Sequence, residues 1–216
     1  MRSFERGEEP VSLRKARKEL RRWEDLSENE RGIAVKNDVR RTLFKAQRGC
    51  CAYCETRLGK SVDDCDAHIE HLQRRADKPQ LAFDWGNIFL SCNSRESCGK
   101  YKDEKRVKFD VADFVDPSRE DPQDFFEYSY NDGQIFAKCT NAAVKRRAEE
   151  TIRVLNLDRS RKLRSIRRRI ALIVADFIAT DPSEDSVRSF LTDYKDSDCF
   201  SVYCFLLGRR TQEFDE

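Results

Sequence analysis

The 216-residue chain is long enough to bury a core and to form one or two domains. It is 38% hydrophobic and 38% charged, but 14 Phe, 6 Tyr, 2 Trp and only 5 Pro and 8 Gly set it apart from a disordered chain, so a folded, heavily charged protein is expected. No apolar run reaches the roughly 18 residues of a membrane span, and MRSFERGEEP lacks the apolar stretch of a signal peptide, so a cytoplasmic protein that does not engage a membrane is expected.

In chain order, residues 11–26 read as a helix, with Leu13, Ala16, Leu20 and Trp23 recurring at three- and four-residue steps. Residues 33–48 repeat the pattern through Val35, Val39, Leu43 and Ala46, and Gly49 stops that helix. The segment 1–49 is thus helical, and 50–104 follows as the chemical centre, holding six of the nine cysteines and both histidines. Residues 105–139 read as a connector with one hairpin, in which DFFEYSY and QIFAK flank the turn Asn131-Asp132-Gly133. Residues 140–216 read as a C-terminal helical region, with helices over 140–157, 159–179 and 184–208. Leu163, Ile166, Ile170, Ile173, Val174 and Phe177 form a core-facing stripe, with Arg164, Arg167, Arg168 and Arg169 on the other side.

The net charge of +2 conceals segregation: residues 138–170 carry 12 Lys/Arg against 3 Asp/Glu, and residues 176–216 carry 4 against 10. A basic block suits a phosphate backbone, and it also suits a solvated helix face. No Gly-rich Walker loop is present, so the chain does not supply ATP hydrolysis itself.

Nine cysteines in a reducing compartment point to metal rather than disulfides. Cys51 and Cys54 form C-x2-C, and Cys92 and Cys98 form C-x5-C, which together suit a tetrahedral structural Zn²⁺. Cys50 and Cys65 are alternative ligands, while Cys139, Cys199 and Cys204 read as core. Between the pairs lies His68-Ile69-Glu70-His71. Phosphodiester hydrolysis needs a carboxylate to hold a hard cation such as Mg²⁺ and a base to activate water. Glu70 and His71 supply those two groups, although on an extended strand adjacent residues face opposite ways, so a bend is needed for both to reach one phosphate. His68 and His71 also remain open as zinc ligands. Arg74, Arg75 and Lys102 are candidate phosphate contacts. A non-catalytic module, in which zinc presents basic helices to nucleic acid or protein, is the competing reading.

CAYCE, HIEHL, WGNIFLSC and CGKYK, in that order, resemble the HNH, or ββα-metal, endonuclease superfamily. The resemblance implies an α+β fold: a small zinc-bound ββα-metal core flanked by N-terminal and C-terminal helices. It implies His71 as general base, Glu70 as ligand of the catalytic divalent ion, Asn87 as the residue orienting the catalytic loop, the four cysteines as a zinc knuckle, and Lys102 as a usual lysine beyond the last cysteine. One departure stands out. Many members carry His or Asn directly after the final cysteine as a second ligand of the catalytic ion; here that residue is Gly99, and Asn87, Asp103 and His68 are the candidates to replace it. RGEEPVSL, FVDPSREDPQDFFEYSYNDGQI and RAEETIRVLNLDR extend the likeness over nearly the whole chain, to the retron-associated and Septu-type branch. That likeness implies an anti-phage defence role, DNA or possibly RNA as substrate, and an ABC/SMC-like ATPase partner.

Overall fold

The computed structural model describes residues 1–139 and 141–214. Thr140, placed at the start of the expected helix over 140–157, and residues 215–216 of the C-terminal region lie outside the described residues.

Helix α1 (Val11–Glu19) buries Leu13 and Ala16. The expected helix over 11–26 ends here. Leu20 is extended, and Trp23–Ser27 forms a separate 3-10 turn, closed where the Arg22 amide donates to the Asp25 carboxylate at 3.1 Å. The break lets Trp23 leave the helix axis and pack edge-on against His71, with ring centroids 4.8 Å apart. Helix α2 (Glu30–Ala46) begins three residues earlier than its apolar repeat because the Asn29 side chain accepts from the Gly32 amide at 2.9 Å. Gly49 stops it at φ +68°, donating to the Phe44 carbonyl at 2.8 Å.

The central segment forms strands β1 (Ala67–His71) and β2 (Ile88–Cys92), then the short helix α3 (Cys98–Lys102). The strands are antiparallel, in register from Ala67↔Cys92 to His71↔Ile88. Gln47 takes up both main-chain groups of Leu90, donating to its carbonyl at 2.9 Å and accepting from its amide at 2.8 Å. α2 is thereby fastened to β2 without a third strand.

The expected hairpin is present as β3 (Phe126–Tyr128) paired with β4 (Ile135–Ala137). Helices α4 (Ala142–Leu155) and α5 (Arg161–Ile178) are capped by the Asn141 and Ser160 side chains. On α5, Leu163, Ile170 and Val174 are buried and Ile166, Ile173 and Phe177 half-buried. Arg167 departs from expectation. It is buried, donating to the Gly133 carbonyl of the hairpin turn and to the Leu157 carbonyl, both at 2.7 Å. A helix facing two unpaired carbonyls at a turn needs a long donor there more than an apolar side chain.

The expected helix over 184–208 is two helices, α6 (Glu184–Tyr194) and α7 (Phe200–Leu206). Long-range bonds make the break. The Cys199 amide donates to the Glu55 carbonyl at 3.0 Å, its thiol to the Cys54 carbonyl at 3.1 Å, and Asp198 accepts from the Arg57 amide. Glu55 also pairs with the Met1 amino group at 2.9 Å. Cys204 is buried as expected, but Cys139, expected in the core, is exposed beside the end of β4. The described residues thus form an α+β fold of seven α-helices and two small antiparallel sheets. No helix among them is long and apolar enough to cross a membrane.

Candidate metal and catalytic centre

The Sγ atoms of Cys51, Cys54, Cys92 and Cys98 all lie within 4.8 Å of one another. A tetrahedral Zn–S₄ site, with bonds near 2.3 Å, sets its sulfurs about 3.8 Å apart, and Cys54 and Cys92 already stand at 3.9 Å. Burial opposes ionisation of the Cys51 thiol, but hydrogen bonds with Cys54, Cys92 and Cys98 outweigh it and hold it well below the usual thiol range. The Cys92 amide adds another bond to this sulfur, at 3.3 Å. The donors therefore fit a soft ion such as zinc, which would tie the turn after α2 to β2 and α3. Cys50 and Cys65 lie outside the cluster, so the spare ligands weighed from the sequence are not needed. Neither histidine belongs to it.

β1 runs through His71 without a bend, so its side chains alternate. His68 and Glu70 share one face and His71 takes the other. Glu70 is 1% exposed. Its Oε1 receives the Lys102 ammonium at 2.9 Å and the Tyr53 hydroxyl at 3.4 Å. Its Oε2 has no hydrogen-bond partner among the described residues, and His68 Nε2 stands 3.4 Å from it. Burial pushes the Glu70 carboxyl up, but Lys102 and His68 outweigh it and keep it below the usual carboxylate range.

Lys102 and Arg74 correct two expected phosphate contacts. Lys102 is 0% exposed and is Glu70's counter-ion; its ammonium also reaches the His71 carbonyl at 3.0 Å and the Asp103 carboxylate at 2.5 Å. Arg74 is turned inward onto the carbonyls of Lys102, Glu104 and Val107, capping the end of α3. Arg75 stays partly exposed, paired with Glu24. Asp103 lies between Lys102 and Arg74 and does not reach Glu70's open oxygen. Lys100, missed in the sequence, is exposed on α3 next to Gly99 and has no ion-pair partner among the described residues. Its position one residue past the cysteine-glycine pair was the available signal.

His71 is 5% exposed, and its Nε2 lies 2.9 Å from the Ala82 carbonyl. A carbonyl only accepts, so Nε2 carries the proton and Nδ1 keeps its lone pair. Nδ1 has no hydrogen-bond partner among the described residues. Burial lowers the ring's pKa to about 4, more than the Ala82 bond raises it, so the imidazole is neutral near pH 7.

Asn87 staples the intervening loop. It accepts from the Gln73 amide at 2.7 Å and donates to the Gln73 and Leu81 carbonyls at 3.0 and 3.1 Å, next to the carbonyl that holds His71. Arg6 grips the other side of the same turn through the carbonyls of Trp85, Gly86 and Ile88, with its guanidinium 4.0 Å from the Phe89 ring centroid. Sequence reading passed over Arg6, because an arginine in a charged N-terminus gives no local sign of burial.

No protein-family model matches the chain, and no curated protein matches it in sequence.

Proposed function

We propose that this protein is a metal-dependent endonuclease of the HNH, or ββα-metal, type, with a structural zinc in the four-cysteine cluster. The observation that carries the reading is the buried Glu70 carboxylate, with one oxygen held by Lys102 and the other left open beside His68. Proteins rarely leave a buried carboxylate oxygen without a partner unless an ion or water completes it. The strand–strand–helix order around four thiols agrees with the fold the resemblance implies. A divalent ion such as Mg²⁺ held at Glu70 would polarise a phosphodiester and neutralise charge built up on its oxygens.

The chain's own residues then divide the work. Glu70 and His68 present donors on one face. Lys102 keeps Glu70 ionised. His71 is the general base that the resemblance implies: it is neutral and fixed in one tautomer by Ala82, but it lies on the face of β1 opposite Glu70, so this role requires the end of the strand to turn when substrate binds. Asn87 and Arg6 position the loop that holds it. Phosphate contacts belong to cations at the surface, namely the partly exposed Arg75 and the exposed Lys100, Arg168 and Arg169, the last three without an ion-pair partner among the described residues. DNA is the favoured substrate, with RNA as the other, and an ABC/SMC-like ATPase in anti-phage defence is the partner the resemblance implies.

The test is cleavage of plasmid DNA and of RNA by zinc-loaded protein with Mg²⁺ or Mn²⁺. Glu70→Gln and His71→Ala should each lower cleavage by about 10²-fold or more without loss of zinc. Normal cleavage by His71→Ala removes that residue from the base role. The burial of His71 favours a second reading, a zinc-braced binding module in which this ring is core. No cleavage under any of these conditions, together with retained nucleic-acid binding, selects that module.

A further inference from the structure

We propose that His68 and Glu70 form a two-donor site for a first-row transition-metal ion such as Mn²⁺, preferred over Mg²⁺ and Ca²⁺, and that Gly99 is glycine to leave room for it. This deepens the reading above and rests on its choice of the His68–Glu70 face as the reacting centre.

Three independent features meet at one point. The first is the open oxygen, Glu70 Oε2, on a side chain that is 1% exposed. Lys102 occupies the other oxygen, so the carboxylate has a single oxygen to offer. The second is His68 Nε2 at 3.4 Å. That is longer than a good N–H···O bond, and two donors about 2.1 Å from one ion, at adjacent positions on it, stand about 3.0–3.4 Å apart. His68 is half-buried, and its Nδ1 also has no hydrogen-bond partner among the described residues.

The third is Gly99. Its φ is not positive, so backbone conformation does not call for glycine there. A Cβ would stand 2.5 Å from Glu70 Oε2 and 2.9 Å from His68 Nε2. The glycine is therefore steric: any side chain would fill the space into which both donors point. Its amide is fixed by the Ser91 hydroxyl at 3.1 Å, so the helix cannot easily back away. Of the three candidates for the position Gly99 vacates, the geometry selects His68. Asn87 is consumed in the loop, and Asp103 is held by Lys102 and Arg74.

The donor set decides the ion. Ca²⁺ and Mg²⁺ are hard and take oxygen ligands. An imidazole nitrogen adds affinity along the first-row transition series, least for Mn²⁺ at its start, and adds less still for those two. One carboxylate oxygen plus one nitrogen, with the remaining positions open to water and phosphate, fits the transition ion. The four thiols do not compete, because Mn²⁺ is a poor match for an all-sulfur site.

The test titrates zinc-loaded protein with Mn²⁺, counting free ion by electron paramagnetic resonance, with Mg²⁺ as competitor. Zinc content and circular dichroism confirm the fold of each variant. The wild type should bind one Mn²⁺ per chain about tenfold or more tighter than Mg²⁺. His68→Ala and the gentler His68→Gln should each weaken Mn²⁺ by about tenfold or more and narrow its lead over Mg²⁺. Gly99→Ala should weaken both ions. Mn²⁺ affinity unchanged in both His68 variants, equal affinity for the two ions, or no bound Mn²⁺ overturns the site. Cleavage separates this from the wider reading. A chain that binds Mn²⁺ at this pair and cuts nothing keeps the site and sinks the nuclease. A chain that cuts with Mg²⁺ and is indifferent to His68 does the reverse.

Discussion

The two faces of β1 carry the same residue types to different ends. On one face Glu70, His68 and Lys102 make a polar cluster in which a charge is paired and one oxygen is left open. On the other, His71 lies edge-on to Trp23, which in turn packs on Phe83, with one nitrogen satisfied by a carbonyl. Adjacency in sequence puts Glu70 and His71 together; a straight strand separates them. Side-chain environment, set by the layer each face meets, decides which group stays charged and which stays neutral.

The largest perturbation should abolish the contrast altogether. Zinc held by the four sulfurs would tie together the turn after α2, β2 and α3, so stripping it or making Cys51→Ser should remove binding free energy on the order of 10 kcal/mol. Both faces should be lost together. Near-ultraviolet circular dichroism and Trp fluorescence, which reports on the Trp23–His71 contact, should collapse in step with zinc release. Survival of the Trp signal after zinc loss would mean the two faces are braced separately.

A narrower change should strike the polar face alone. Lys102→Met leaves Glu70 buried without its counter-ion, a loss of about 3–5 kcal/mol, visible as a shifted denaturation midpoint. Recovery on replacing Glu70 as well, in Lys102→Met/Glu70→Gln, would show that the penalty belongs to the stranded charge.

The smallest effect isolates the apolar face. The His71 pKa is about 4 in the folded chain against 6.5 when unfolded, so between those values the unfolded state binds the extra proton. Its contribution is complete above about pH 6.5 and is lost as pH falls toward 4, up to ~3 kcal/mol. His71→Gln, which keeps a donor for Ala82, should flatten that part of the stability–pH curve. Glu70, whose pKa is lowered, acts at a more acidic stage, its contribution falling only below about 4.5. An unchanged slope between pH 6.5 and 4 in His71→Gln would mean that the ring is not the titrating group.

Much of this was written locally. Apolar spacing located α2, α4 and α5, Asn131-Asp132-Gly133 marked the hairpin, and the cysteine spacing found all four clustered sulfurs. What escaped was fixed by distant partners. The break after Lys195 is made by Cys54, Glu55 and Arg57, far away in the chain, while residues 184–208 carry an unbroken helical pattern. Lys102 read as a surface cation because lysine usually is one; only Glu70, brought over it by strand pairing, makes burial tolerable. Gly99 was legible as a departure from the family pattern, but its reason lies in a carboxylate 29 positions earlier. That His68 stands beside Glu70, as Asn87 and Asp103 do not, follows from the alternation of β1, which the sequence does not place.

The mooring of α7 at Cys54 and Glu55 has a cellular reading. Cys199 and Ser201 hang the last helices on the same turn that presents two of the sulfurs. Scarcity of the ion should therefore slacken far more than a small finger. It should expose the seam around residues 195–199 to proteases, so that the supply of the ion sets how long each copy persists after synthesis.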